Sequence, residues 1–296
     1  MTVKSKIKES PGDRALLTAL YIICVILFVI TLYPFVYVLS MSISDKRYVL
    51  DNSVWLYPKG FSLEVYKMIF SNSDIWTSYY NSVWYAVVGT AINVVCTLLC
   101  AYALSRRKFF LRNQLTFFIT FTMFFNGGII PFFVLIQMLG MYNTRWAMII
   151  PGAIQVYYLL IARQFLQNIP ESMHESATID GAGEFRILTR IFLPLSTPII
   201  AVLILFHAVG HWNSYMPALL YLPNKELQPL QILLARIVLQ NSTEALKDLP
   251  GGMDRGTYFI QIRYAVIIAV ILPIICIYPF VQKYFVQGVM IGAIKE

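Results

Sequence analysis

Charged side chains are scarce in this chain, and its longest apolar stretches contain almost none. Charged residues make up 13% of the 296 positions, whereas 58% are hydrophobic and the mean hydropathy is +0.66. Soluble globular domains carry about 25% charged residues, and blocks of about 20 apolar residues match the hydrocarbon thickness of a bilayer. The composition therefore predicts an integral membrane protein.

Two further absences narrow the function. No Gly-Lys dipeptide occurs, so the chain lacks the phosphate-binding loop G-x-x-x-x-G-K-[ST] and is expected to hold no nucleotide of its own. All 15 Asp and Glu residues lie outside the apolar stretches. This argues against a secondary transporter with a buried carboxylate, although not against one that binds sodium through backbone carbonyls. If the protein moves a solute uphill, its energy is expected to come from a partner.

Residues that could form a disulfide, bind a metal or catalyse a reaction are equally few. The four cysteines fall in apolar stretches and imply neither a disulfide nor a metal framework. His207 and His211 stand four residues apart, as two metal ligands on one helix face would, but no third ligand is near them in sequence. No nucleophile, base and orienting group can be combined, so we expect no enzymatic activity and no metal or cofactor on this chain.

Six apolar segments are long enough to cross a membrane. They cover residues 15–40, 83–104, 115–139, 146–166, 198–222 and 264–286. We therefore predict an all-α, single-domain membrane protein with six transmembrane helices, two external loops (41–82 and 223–263) and one long cytoplasmic loop (167–197). The first segment exceeds the core of a signal peptide, about 7 to 15 residues, so it is expected to remain as a span.

The positions of Lys and Arg predict the orientation. Four basic residues precede the first span, and the connection between the second and third spans carries Arg106, Arg107, Lys108 and Arg112 without an acid. The positive-inside rule places both regions, and hence both termini, in the cytoplasm of a bacterial cell membrane. Because these charges lie at span ends and not in one patch, a nucleic-acid partner is not expected.

The polar segment 175–194, with the sequence ESATIDGAGEFRILTRIFLP, has the pattern of two short helices joined by a turn. Pro170 suits the first turn of the first helix, and Gly181 and Gly183 permit a reversal of the chain. Apolar residues at helical spacing then predict the second helix. Such an element at a membrane surface suits docking of another protein, but an interfacial hairpin lying on lipid fits the pattern equally well.

The same segment resembles the signature E-A-A-x3-G-x9-I-x-L-P of the permeases of binding-protein-dependent ABC importers. The matching residues are Glu175, Ser176, Ala177, Gly181, Ile191, Leu193 and Pro194, with Ser176 in place of the second alanine. Nearly the whole chain is similar to the carbohydrate importer permeases of the maltose-transporter type. Within that family it looks most like the LplC and YtcP types, a branch that handles complex oligosaccharides.

The resemblance implies the type I permease fold of ABC importers and an oligosaccharide as the substrate. It implies a complex with a second, homologous permease, two cytoplasmic ATPases that bind ATP and Mg, and an extracellular solute-binding protein. The loop 167–197, here named the coupling segment, would transmit ATPase movement. Glu175 would pair with a basic ATPase residue, Gly181 would permit the turn, and Ile191, Leu193 and Pro194 would anchor the segment to the fifth span. The tail from Gln287 onward would dock between the ATPases.

Polar and aromatic residues within the spans are candidates for the translocation path, because sugar sites combine aromatic faces with directed hydrogen bonds. The candidates are Asn126, Gln137, Gln155, Tyr157, Tyr158, His207, His211, Trp212, Asn213 and Tyr215. Each also fits interhelical packing or hydrogen bonding. The resemblance leaves open which permease of the pair holds the sugar.

Two other functions stay open at this stage. One is an ABC permease for another solute, such as a polyamine or a phosphonate, which would differ in the context of Trp212-Asn213 and in the tail. The other is a stand-alone channel or sodium-coupled carrier, which would bind or conduct its solute without ATP.

Overall fold

A computed structural model describes residues 10–239 and 255–293, and helices account for most of both ranges. No β-strand occurs in these two ranges, which confirms the all-α prediction. The helices are, in chain order, α1 (Pro11–Ile43), α2 (Lys46–Leu50), α3 (Glu64–Phe70), α4 (Ser73–Ser105), α5 (Arg112–Phe124), α6 (Ile129–Met138), α7 (Val156–Gln167), α8 (Glu171–Ile179), α9 (Glu184–Leu195), α10 (Thr197–Trp212), α11 (Met216–Tyr221), α12 (Leu230–Leu239) and α13 (Arg255–Ala293).

Three single helices are long and apolar enough to cross a membrane, namely α1, α4 and the part of α13 from Tyr258 to Ile277. Three helix pairs pass the same test but are bent: α5 with α6 by 118°, the 3-10 turns of Arg145–Gly152 with α7 by 48°, and α9 with α10 by 82°. The described residues therefore hold three candidate spans, or six if each bent pair counts as one.

The bends fall where the sequence carries Gly, Pro and Asn. Between α5 and α6, the side chain of Asn126 accepts a hydrogen bond from the backbone N–H of Gly128, whose φ is +89°. A left-handed dihedral of this kind ends one helix and redirects the next. Pro151 and Gly152 lie in the 3-10 turns before α7. Predicted segments 115–139 and 146–166 are thus each two helical pieces.

Helix ends differ from the predicted segment ends because helices continue into polar sequence. α4 begins ten residues before segment 83–104, where the side chain of Asn72 accepts from the N–H of Asp74 at 2.7 Å. The predicted external loop 41–82 therefore contains α2, α3 and the first turns of α4. Segment 198–222 contains the end of α10 at Trp212 and then α11.

The described chain forms two compact units. The first comprises residues 10–71 and 255–269. Its core is built from Met41, Val49 and Val54, with Tyr37 and Tyr264 packed against them. The side-chain amide of Gln261 donates to the carbonyl of Ser44, the residue that ends α1, at 2.6 Å.

The second unit, residues 72–239 and 270–293, contains the coupling segment and all the predicted path residues. Its main core joins α4, α7, α8, α9 and α10, and Leu159, Leu166 and Phe192 are fully buried there. The two helices of the coupling segment are therefore packed directly onto spans. Close-packed interiors transmit displacement, so a movement of this segment would reach α4 and α7.

Candidate functional site

The coupling segment has the predicted form of two helices joined by a tight turn. Gly181, with φ of +76°, follows α8, and its N–H donates to the carbonyl of Thr178 at 3.0 Å. The next N–H, that of Ala182, donates to Ala177 at 2.9 Å. Gly183 has an ordinary φ of −73°, so only one of the two glycines uses a dihedral that L-residues avoid. Pro170 lies one position before α8, as its cap.

The signature residues divide between an outer and an inner surface of this segment. Glu175 and Ser176 are exposed on α8, whereas Ala177 is buried in the core of the second unit. Ile191 and Leu193 are partly buried against the same core, and Pro194 is exposed in the last turn of α9. This arrangement fits docking of a partner on Glu175 and Ser176. It also fits anchoring of the segment by Ile191 and Leu193, and both roles stay predictions.

The tip of the coupling segment exposes large apolar side chains. Ile179, the last residue of α8, is 86% exposed, and Phe185, in the first turn of α9, is 75% exposed. The two residues flank the turn at Gly181. Exposed apolar groups at the end of a polar segment suit a surface that another protein or the membrane covers.

A buried histidine joins the two helices of the segment to α4. Nε2 of His174 lies 3.1 Å from Oε1 of Glu184, and the hydroxyl of Tyr102 donates to Oε2 of Glu184 at 2.6 Å. His174 is 7% exposed. These three residues were not predictable as a group from the sequence, because a contact across the turn depends on the geometry of the turn. Glu184 thus connects α8, α9 and α4.

Arg106 reinforces the same junction. Its guanidinium lies over the ring of Phe192 at 4.4 Å and over that of Tyr102 at 5.2 Å, and Nη1 is 3.7 Å from Oε2 of Glu171. With 8% exposure, Arg106 is a buried cation that is compensated by aromatic faces and one carboxylate. The residue therefore has a structural role in addition to the orientation signal that its charge supplies.

Protonation of the Glu184 carboxylate in acid is expected to loosen the coupling segment. The hydrogen bond from Tyr102 is the main influence that lowers the pKa of Glu184, and the bond with His174 adds to it against the opposing effect of burial. A lowered pKa means that the stabilisation is complete above the ordinary carboxyl value of 4.5 and is lost as the pH falls below it. The protection of α8 amides against hydrogen exchange, corrected for the intrinsic effect of pH on the exchange rate, should fall as the pH drops below the ordinary carboxyl value.

Two variants test this expectation by the same measurement. Glu184→Gln should show faster exchange already at neutral pH and little further change in acid. Glu175→Gln removes an exposed carboxylate from the same segment and should behave as the unaltered protein. Equal exchange in all three proteins would contradict the proposed role of Glu184.

A cavity of about 570 Å³ lies in the second unit. Five of the predicted path residues line it, namely Gln155, His207, His211, Asn213 and Tyr215. The other lining residues include further neutral polar and aromatic side chains, and no Asp, Glu, Lys or Arg among residues 10–239 and 255–293 lines this cavity. Amides, imidazoles and aromatic rings recognise hydroxyl groups and sugar faces, so the lining suits a ligand rich in hydroxyls.

Asn93 connects two histidines and a backbone carbonyl at this cavity, here named the Asn93 cavity. Its Nδ2 lies 2.7 Å from the carbonyl oxygen of Gly152 and 3.2 Å from Nδ1 of His207. Its Oδ1 lies 3.3 Å from Nε2 of His211. Because a carbonyl only accepts, the contact with Gly152 fixes the amide orientation. His207 must then accept through Nδ1 and His211 must donate through Nε2.

The remaining predicted path residues lie elsewhere. Tyr158 packs edge to face against His207 with ring centroids 5.0 Å apart, but it does not line the cavity. Trp212 is buried, and its indole N–H donates to the carbonyl of Val270 at 3.2 Å. Three further candidates are exposed and outside the cavity lining: Asn126, Gln137 and Tyr157. Asn93 itself was missed, although a polar residue inside an apolar run was the available signal.

Gly89 makes room for the His211 ring. It ends a π turn, Tyr85–Gly89, inside α4, and a Cβ at this position would overlap the imidazole of His211. Gly89→Ala is therefore expected to displace His211 from Asn93 and to lower the unfolding free energy by about 1–3 kcal/mol. Thermal unfolding of the purified protein measures this effect.

Gly210→Ala is the matched control for thermal unfolding. Gly210 lies on α10 beside the same cavity, and a Cβ there would meet no atom within 4 Å. This variant should unfold like the unaltered protein. If both variants lost the same stability, the close approach of His211 to Gly89 would not be the cause.

Comparison with known proteins adds independent information. The profile of the family described as "Binding-protein-dependent transport system inner membrane component" matches residues 93–291. The polygalacturonan/rhamnogalacturonan transport system permease protein YtcP of Bacillus subtilis (strain 168) is 40% identical over 90% of this chain and 93% of its own length. The LplC protein of the same organism is 38% identical over 92% and 94%.

A solved structure shows the same fold. It is a bacterial ABC transporter involved in the import of the acidic polysaccharide alginate, and one of its chains superimposes with a TM-score of 0.87 at 31% sequence identity. The match covers 94% of this chain and 99% of that chain. The similarity therefore extends over nearly the full length of both chains.

Proposed function

Since the chain belongs to the family of binding-protein-dependent transport system inner membrane components, we propose that it is the permease subunit of an ABC importer for oligosaccharides. One relative, which is 40% identical, is named for polygalacturonan and rhamnogalacturonan transport. The solved relative imports alginate. These names support a carbohydrate as the cargo and a chain that transports without catalysing a reaction.

The Asn93 cavity is the observation that supports an oligosaccharide best. Its lining offers donors and acceptors without a formal charge, in a volume of about 570 Å³. His207 lines the cavity, and its Nε2 is buried without a hydrogen-bond partner among the described residues. A polyamine would need carboxylates, and none from the described part of the chain lines this cavity. Gln155, Asn213 and Tyr215 complete the proposed path.

The coupling segment is the proposed contact with the ATPases. The exposed Glu175 and Ser176 and the apolar tip at Ile179 and Phe185 lie on one short segment, as a surface that enters a cleft would. The complex would then contain this chain, a second permease, two ATPases carrying ATP and Mg, and an extracellular solute-binding protein. In this arrangement both termini face the cytoplasm.

Uptake into proteoliposomes tests the proposal. The complete complex should accumulate labelled oligogalacturonides or a neutral oligosaccharide only when ATP is supplied on the side of the ATPases and the binding protein on the other. A panel that adds a polyamine and a phosphonate separates a sugar importer from other permeases. Accumulation by the isolated chain without ATP would overturn the proposal in favour of a stand-alone carrier.

A further inference from the structure

A second cavity lies at the junction between the end of α4 and the start of α8. Its volume is about 320 Å³, and Arg107, Arg112 and Glu171 are its charged lining residues. Gln167 and Asn168, just before α8, add two neutral amides to the wall. We name it the arginine cavity. None of its residues belongs to the Asn93 cavity or to the signature of the coupling segment.

The charges of the arginine cavity favour an anion. Its one carboxylate, Glu171, is 3.7 Å from Nη1 of the buried Arg106, which compensates it. Arg107 and Arg112 then remain as an excess of positive charge. The residues from 106 to 112 contain a further cation, Lys108, and no acid.

One guanidinium of the cavity wall has unmet hydrogen-bonding capacity. Nε of Arg112 is buried and has no hydrogen-bond partner among the described residues. A buried donor without an acceptor is costly, and a phosphate group supplies several charged acceptors in the geometry that guanidinium prefers. An acceptor-rich anion would therefore suit the cavity.

The surroundings favour a lipid as the source of that phosphate. Between the two arginines, Phe110 is 87% exposed and Leu111 is 43% exposed. Apolar side chains beside basic ones at the end of a span suit the boundary between headgroups and acyl chains. A free phosphate would gain nothing from these apolar neighbours.

We propose that the arginine cavity binds the phosphate of an anionic phospholipid headgroup. Arg107 and Arg112 contact the phosphate, and Phe110 and Leu111 lie against the acyl chains. The bound lipid connects the region between α4 and α5 to the first turn of α8. The membrane thereby supports the coupling segment at the end opposite to its exposed tip.

Native mass spectrometry of the complete complex tests the proposal by counting bound phosphatidylglycerol after partial removal of lipid. The double variant Arg107→Gln with Arg112→Gln should retain one phosphatidylglycerol fewer per copy of this chain, with about tenfold weaker binding. Phosphatidylcholine should not replace it. Lys108→Gln removes a neighbouring cation that does not line the cavity, and it should leave the count unchanged.

Three results would overturn the proposal. The first is unchanged retention of phosphatidylglycerol in the double variant, and the second is an equal loss of phosphatidylglycerol in Lys108→Gln. The third is displacement of the lipid by millimolar inorganic phosphate. Arg112→Lys, which keeps the charge, is a second variant in case the double variant assembles poorly, and it should bind more lipid than Arg112→Gln. Lipid counting requires no transport, so a negative result here is distinct from failure of the proposed function. The lipid proposal rests on the proposed function only for the orientation of the cavity in the membrane.

Discussion

Gly181→Pro is expected to abolish ATP-driven uptake while the protein remains in the membrane. Proline holds φ near −65°, whereas Gly181 has φ of +76°, and proline also removes the N–H that bonds to Thr178. The combined cost, about 3 kcal/mol or more, falls on the turn between α8 and α9. The exposed tip would then no longer be presented in its native position. Uptake and stimulated ATP hydrolysis in proteoliposomes measure the loss.

Alanine at the two glycines gives a matched comparison. A Cβ at Gly181 or at Gly183 would meet no atom within 4 Å, so any difference arises from the backbone alone. Gly181→Ala should weaken coupling, because a left-handed dihedral costs an L-residue about 1–2 kcal/mol. Gly183→Ala, at φ of −73°, should transport normally. Normal uptake by Gly181→Pro would remove the turn from the mechanism.

Asn93→Leu is expected to have the second largest effect. Leucine has a similar size but no polar atom, so Gly152, His207 and His211 would each lose a hydrogen bond inside the second unit. Each buried polar group without a partner costs about 1–3 kcal/mol. We expect a lower unfolding temperature and loss of uptake. Thermal unfolding in detergent measures the loss of stability, and transport by the reconstituted complex measures the loss of uptake.

Asn126→Leu is the control for this substitution. Asn126 is an exposed amide that caps the turn before α6, and it does not line the Asn93 cavity. The same change should therefore cost less stability there and leave uptake less affected. If Asn126→Leu impaired uptake as strongly as Asn93→Leu, the Asn93 cavity would not be the part of the chain on which uptake specifically depends.

The approximate positions of the helices were predictable because apolar run length is a direct property of the sequence. The break after α5 falls at the glycines that interrupt the third apolar segment, but its angle of 118° was not predictable, because the φ of Gly128 and the hydrogen bond from its N–H to Asn126 are set by the folded chain. In the same way, α4 extends beyond its apolar run because the cap at Asn72 lies in polar sequence. Apolar run length marks the part of a helix that suits the hydrocarbon region, whereas caps and backbone dihedrals decide where the helix ends.

The candidate sites show the same division. The signature residues of the coupling segment were identified by their resemblance to a family signature, which can be recognised in the sequence because they lie within 20 consecutive positions. Asn93 bonds to residues 59 and 114 positions away, so its polarity within an apolar run could single it out but could not identify its partners. Tyr102 is 82 positions from Glu184. Arg106 was interpreted through its charge alone, since only tertiary packing places aromatic rings against its guanidinium.

Ile179 and Phe185 also bear on how cells make this subunit. In the proposed complex, a newly inserted copy that has not met its ATPase would present both side chains to the cytosol, where chaperones and quality-control proteases bind exposed apolar residues. An excess copy would therefore be degraded sooner than an assembled one. Balanced synthesis of the subunits is thus a requirement that two solvent-facing side chains impose.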